Sequence, residues 1–260
     1  MVEAGAVACE SVERLTELSD VVLLCLSDTQ AVASVVENHI AGCGAPDKLL
    51  IDLSSIEPTA TRRLAAYLRQ TSGMSWVDAP VSGGVPGAES GTLAIMAGGD
   101  EVDITTARRV LAPLYRQLTH MGSVGCGQIA KICNQMIVSC NVMVIAEMIA
   151  LAQRAGVDAG KLPEALAGGF ADSKPLQLVG PQMASGRFEP IKWHVKTLLK
   201  DLNMAVDLAA DQNSAIPMSG LAAQLMQLHG SRGFLEQDPS TLITLFAIDE
   251  GIGSDLQKKS

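Results

Sequence analysis

Apolar residues run without alternation through Val21-Val-Leu-Leu-Cys-Leu26 and Leu49-Leu-Ile-Asp-Leu53, and more briefly through Ser75-Trp-Val-Asp78. Unbroken runs of this length predict parallel strands buried on both faces. Between them, Gln30 to His39 and Thr59 to Gln70 read as helices, the second opened by Pro58 at its first turn. A short helix is expected from Ser11 to Ser19. After a glycine-rich loop, Ala79 to Gly91, the pattern predicts a strand over Thr92 to Ala97, a helix from Glu101 to Leu114 and a short strand from Leu118 to Met121. Strand and helix alternating at roughly 25-residue intervals predict a doubly wound parallel sheet.

From Gln128 to Arg154 no proline or glycine intervenes, and only Lys131 and Glu147 are charged before Arg154. A helix of about 27 residues spans roughly 40 Å. Gln128, Lys131, Asn134 and Gln135 share one face of it, and Val138, Val142 and Ile145 continue the stripe. Beyond it only helices are expected: Lys161 to Ala167, Leu176 to Ala184, His194 to Asp211, Pro217 to Leu228 and Ser240 to Glu250. The reading is α/β over residues 1–125 and all-α over residues 126–260, with the long helix, about 128–154, as the joint. Asn134, Gln135, Ser139 and Asn141 interrupt its uncharged stretch, which favours a core helix over a membrane span.

A net charge of −9 disfavours a nucleic-acid or anionic-membrane surface. A small anionic substrate is still compatible, because one lysine and a few N–H groups act locally. The six cysteines form no Cys-x-x-Cys pair and the four histidines show no zinc-site spacing. Cys133 and Cys140, seven apart on the long helix, are expected to share a buried face. The start lacks the basic region and apolar run of a signal peptide, so a soluble, cytoplasmic setting is expected.

A parallel sheet raises the question of a dinucleotide. Gly125-Cys-Gly127-Gln-Ile-Ala130 matches G-x-G-x-x-A, but its helix runs on past Glu147 and no strand follows, so it is rejected as a pyrophosphate cradle. No other G-x-G-x-x-G occurs. The run Val21 to Leu26 needs a neighbour that the residues before it do not supply, and the sequence reads as though it begins late. Two further features carry chemistry. Ser82-Gly83-Gly84, beyond a strand's carboxyl end, can present successive N–H groups to a carboxylate. Lys131 is the one cation before Arg154 in an apolar helix, where burying a charge is expensive.

Asp78-Ala-Pro-Val-Ser-Gly-Gly84, Gly91-Thr-Leu, Gly98-Gly99-Asp100, Gly127-x-x-x-Lys131-x-x-Asn134-Gln135 and Lys200-Asp201-Leu202 together resemble the β-hydroxyacid dehydrogenases, over essentially the whole chain. The resemblance implies a Rossmann-type parallel sheet, N-terminally incomplete, followed by an all-α domain. It implies an NAD(P)-dependent oxidoreductase that interconverts a small 3-hydroxy acid and its semialdehyde. Lys131 would be the acid/base, Ser82, Gly83 and Gly84 would hold the substrate carboxylate, and Asn134 and Gln135 would orient the substrate. Leu26, Ser27, Ser55 and Lys200 would contact NAD or NADP, with Ser27 where many members have proline. The expected partners are a small carboxylate substrate and further copies of the chain, as a homodimer or homotetramer through the helical domain.

The family's first strand, G-x-G-x-x-G turn, first helix and second strand, roughly 35 residues, have no counterpart in the resemblance. Weak cofactor binding by the 260 residues is therefore expected. The second reading, from a different class, is a non-catalytic remnant serving as a dimerisation or small-acid-binding module. Without the family, Lys200-Asp201 reads as a surface charge pair. Phe170, Lys174, Trp193 and His194 are candidate pocket residues.

Overall fold

The computed structural model describes residues 3 and 5–246. The chain divides into two compact units, Met1–Lys131 and Ile132–Ser260.

In the first unit, α1 (Val12–Leu18) begins under the side chain of Ser11, which accepts the N–H of Arg14. Strand β1 (Val21–Leu24) leads to α2 (Thr29–Val35), which widens into a π-helical turn over Val36–Ile40. Strands β2 (Leu49–Asp52) and β3 (Ser75–Asp78) flank α3 (Pro58–Ser72), which ends at Gly73 in the left-handed region with φ 77°. Next come β4 (Val81–Ser82), α4 (Gly84–Glu89), β5 (Leu93–Gly98), α5 (Glu101–Leu111) and β6 (Tyr115–Gly122).

β1, β2 and β3 pair in parallel, with Asp52 and Asp78 as register partners. β5 is antiparallel to both β3 and β4 and parallel to β6. The sheet is thus mixed: the parallel pairing expected from the pattern holds for β1, β2 and β3 and for β5 with β6, while β5 runs antiparallel to β3 and β4. A parallel return needs a crossover of a dozen or more residues, usually a helix. Between β3 and β5 the chain has only β4 and a helix of six residues, whereas α5 provides a full crossover from β5 to β6. Pro80 interrupts what is nearly one strand from β3 to β4: it has no N–H to donate, and only its carbonyl bonds, to Met96 N at 3.2 Å.

Alternation along the strands divides the apolar side chains between two cores. Val22, Leu24, Leu50 and Trp76 pack with Val32, Val36, Leu64 and Leu68, while Leu49, Ile51, Val77 and Ile95 pack with Ile104, Ala107 and Leu111. β1 stands at the edge of the sheet. Leu23 is 45% exposed, contrary to the expected burial on both faces: on an edge strand it has a paired strand on one side only, and of β1 only Val21 packs against the core that holds Leu49 and Ile51.

Helix α6 (Cys126–Arg154) starts in the first unit and continues into the second. By length and composition it could cross a membrane, but Val142, Ile145, Ala146 and Ile149 are core residues of the second unit. They pack with Leu176, Val179 and Met183 of α8 (Lys174–Ser185), Leu198, Leu199 and Leu202 of α9 (Val195–Asp211), and Ala222 and Met226 of α10 (Pro217–His229). A short α7 (Leu162–Leu166) precedes α8. The last expected helix, Ser240 to Glu250, is a 3-10 helix over Pro239–Leu245, and residues 247–250 lie outside the described residues. Cys140 packs against the second unit's core, but Cys133 is exposed, which corrects the expected shared face.

Candidate active site

Asp52 and Asp78 close two adjacent strands at the carboxyl end, and both are fully buried. Asp78 Oδ1 accepts the N–H of Gly125 at 2.7 Å and Oδ2 accepts that of Gln128 at 2.9 Å. A carboxylate is therefore bound to the first turn of α6, where the helix dipole favours negative charge. Burial still pushes the Asp78 carboxyl up to about 6, against the N–H bonds that pull it down. Asp52 is likewise pushed up to about 6, by burial and then by the charge of Asp78, against its bonds from Ser54. Its Oδ1 accepts Ser54 N–H at 2.9 Å, and its Oδ2 is a buried oxygen with no hydrogen-bond partner.

Gln128 ties this junction to the loop after β2. Its Oε1 accepts Ile56 N–H at 3.2 Å and its Nε2 donates to Ser54 O at 2.9 Å. Ser54 Oγ in turn accepts Leu26 N–H at 2.8 Å. Leu26, the Ser54–Ile56 loop and the start of α6 thus form one hydrogen-bonded cluster at the carboxyl ends of β1, β2 and β3. Ser55 lies between the two backbone groups that Gln128 holds. Lys131 follows Gln128 by three residues, on the same stripe of the helix, and is half-buried. The N–H groups of Gly125 and Gln128 in the G-x-G-x-x-A match are used by Asp78, so they are not offered to a phosphate.

Ser27 is exposed and donates to Asp28 Oδ2 at 2.7 Å, while Asp28 Oδ1 caps α2 by accepting Ala31 N–H at 2.9 Å. A carboxylate at that helix start does not suit a pyrophosphate. Ser27, Ser55 and the Leu26 backbone are hydroxyl and peptide groups of the kind that hydrogen-bond a ribose or an amide. Ser82, at the end of β4, pairs with Ala94 of β5, and Gly83 and Gly84 are exposed, with φ 139° and 63°. These are angles that glycine tolerates and other residues resist. The expected open loop is therefore a strand end turning into α4.

In the second unit, Asn134 Nδ2 donates to Gln135 Oε1 at 2.8 Å, and Gln135 Nε2 donates to Asp201 Oδ2 at 2.6 Å. Lys200 Nζ lies 3.6 Å from Asp201 Oδ1. Asp201 is 2% exposed, so Lys200 and Asp201 are not the surface charge pair expected from the sequence alone. Four residues of two motifs form one polar row from α6 to α9. Of the candidate pocket residues, Phe170 is fully exposed and His194 Nδ1 bonds Glu236 O at 2.8 Å.

Asp78, Gln128 and Asp201 were not singled out for a role in the sequence. The available signal was an aspartate closing two successive apolar strands, but its partner in α6 lies 47 residues away.

Residues 1–122 match the family model described as the NAD binding domain of 6-phosphogluconate dehydrogenase. Residues 125–246 match the NAD-binding model of NADP-dependent 3-hydroxyisobutyrate dehydrogenase. The chain is 34% identical to 2-hydroxy-3-oxopropionate reductase of Escherichia coli, over 94% of this chain and 83% of that protein. It is 31% identical to NAD-dependent L-serine dehydrogenase of Pseudomonas aeruginosa, over 96% and 87% of the two chains. The structure of Mycobacterium tuberculosis 3-hydroxyisobutyrate dehydrogenase with L-serine superposes with a TM-score of 0.82 at 30% identity, covering 92% of this chain and 84% of that one.

Proposed function

The chain belongs to the β-hydroxyacid dehydrogenases, nicotinamide-dependent oxidoreductases of small hydroxy acids, and on that footing we propose that it interconverts a 3-hydroxy acid and its semialdehyde with Lys131 as acid/base. Hydride transfer to and from the carbinol carbon would be the chemistry that a nicotinamide cofactor supplies when bound. Lys131 Nζ takes the hydroxyl proton in oxidation and gives it to the carbonyl oxygen in reduction. Ser82 and the N–H groups of Gly83 and Gly84 hold the substrate carboxylate. Asn134 and Gln135 orient the substrate, and Leu26, Ser27, Ser55 and Lys200 contact the cofactor.

The observation that carries this reading is the placement of Lys131. It stands one turn beyond Gln128, on a helix anchored at the carboxyl ends of β1, β2 and β3, where open α/β sheets take their ligands. The six cysteines are free thiols, which supports a reducing, cytoplasmic setting. Along α6, Ile137, Val144 and Leu151 recur every seventh residue and are 70%, 53% and 68% exposed. Such a stripe supports a homodimer or homotetramer through the helical unit.

The test is an absorbance assay with NAD(H) and NADP(H) against 2-hydroxy-3-oxopropionate, 3-hydroxyisobutyrate and L-serine. Turnover of at least one, with neutral analogues lacking the carboxylate turned over poorly, is expected. Equal turnover with and without the carboxylate contradicts the role given to Ser82, Gly83 and Gly84.

A further inference from the structure

Two residues that bind neither substrate nor cofactor in this account hold the helix turn that carries Lys131. Asp78 accepts an N–H on each carboxylate oxygen, from Gly125 and Gln128. The fit around it leaves no slack: a Cβ on Gly127 would stand 2.5 Å from Met96 O, 2.7 Å from Asp78 O and 2.8 Å from Asp78 Oδ2. A Cβ on Gly98 would stand 2.7 Å from Asp78 Oδ1 and 2.8 Å from Gly127 N. The start of α6 is thus pressed onto the ends of β3 and β5 with no space for a side chain. From the same turn, Gln128 grips the backbone on both sides of Ser55, through Ser54 O and Ile56 N. Ser54 passes the contact on to the N–H of Leu26.

We infer that Asp78 and Gln128 are positioning residues: together they fix Lys131 in depth and rotation relative to the Leu26–Ser27 and Ser54–Ile56 segments. This rests on the reading of Lys131 as the acid/base and of those segments as cofactor contacts. The Asp78 carboxylate sets the height of the helix start, because both of its oxygens are engaged there. The Gln128 amide sets rotation, because it can reach Ser54 O and Ile56 N together only in one orientation of the first turn. A helix slid or turned by an ångström would keep its core packing beyond Val138, yet move the Lys131 amine off line, a displacement that costs rates of about 10²-fold.

The experiment compares Gln128→Leu and Asp78→Asn with the parent chain. Gln128→Leu keeps the bulk and removes both bonds. Asp78→Asn turns one acceptor into a donor facing an N–H. Two readouts are taken: steady-state kcat and KM, and the acylation rate of Lys131 relative to Lys48, mapped by mass spectrometry without cofactor or substrate. The expected result is a fall in kcat of about tenfold or more with substrate KM held within about threefold. The Lys131-to-Lys48 acylation ratio is expected to shift in folded protein. If Asp78→Asn does not fold, Gln128→Leu carries the test alone. An unchanged acylation ratio overturns the inference, whatever happens to thermal stability, and so does a loss carried by KM. The acylation ratio does not depend on catalysis, so it still reads positioning if Lys131→Ala proves active and the acid/base role falls.

Discussion

Gln135 Nε2 donates to Asp201 Oδ2 at 2.6 Å, joining α6 to α9 through side chains that are 8% and 2% exposed. The other Asp201 oxygen lies 3.6 Å from Lys200 Nζ. A carboxyl group so buried is tolerated because an amide and an amine share it. Asp201→Ala removes the buried acceptor of the Gln135 Nε2 bond, at a cost of about 1–3 kcal/mol. Urea unfolding of the variant is expected to show a lower midpoint with an unchanged slope. If the proposed role of Lys200 holds, KM for the cofactor also rises.

Asp52 offers a change in the opposite direction. Its folded carboxyl is raised to about 6 from an ordinary 3.8, so between these values the folded chain holds more protons than the unfolded one. Its contribution to stability is then fully present below about 3.8 and is lost as pH rises through about 6. Asp52→Asn keeps an acceptor for Ser54 N–H and removes a buried charge beside Asp78. It is expected to stabilise the protein by about 1–2 kcal/mol at pH 7.5 and by little at pH 4. Chemical denaturation at the two pH values checks this, and equal effects at both would contradict it.

His229 has the reverse sign. It is fully buried, stacks on Phe234 at 4.3 Å between centroids, and donates from Nε2 to Thr241 Oγ1, whose own proton goes to Asp238 O. Nδ1 is buried with no partner. Burial, and then the charge of Arg232, lower the imidazole from 6.5 to about 4. Its contribution is complete above about 6.5 and is lost as pH falls through about 4. Relative to His229→Gln, the parent is expected to lose about 2 kcal/mol more on going from pH 7 to pH 4. Parallel pH–stability curves for the two proteins would contradict this.

Leu23 is 45% exposed on a strand at the sheet edge. An open apolar edge is a template for strand addition, and lysine there is a common protection. Leu23→Lys is expected to lower light scattering at high protein concentration while changing the unfolding midpoint little. A large loss of stability would show that Leu23 is a core residue after all.

The apolar runs made most of the strands legible, and an uninterrupted 29-residue helix was visible from its lack of breakers. What periodicity cannot carry is strand direction and edge position. The antiparallel β5 depends on the short connection after Asp78, and the exposure of Leu23 goes with the edge position of β1. Cys133 misled because seven-residue spacing fixes only that two side chains share a face, not that the face is buried along its whole length. Among the candidate site residues, the motif members Lys131, Asn134 and Gln135 could be read as one stripe. Asp78 and Asp201 could not be read as anchors, because their partners lie 47 and 66 residues away. A long-range hydrogen bond leaves no local periodicity.

The account turns on the amine of Lys131, and its most direct test is turnover by Lys131→Ala with the carboxylate substrate that the parent uses best. The expected result is a fall in kcat of about 10²–10⁴-fold, with thermal stability and cofactor binding preserved and partial recovery on adding a small primary amine. A folded Lys131→Ala protein that turns over within about threefold of the parent, with or without added amine, would contradict the account.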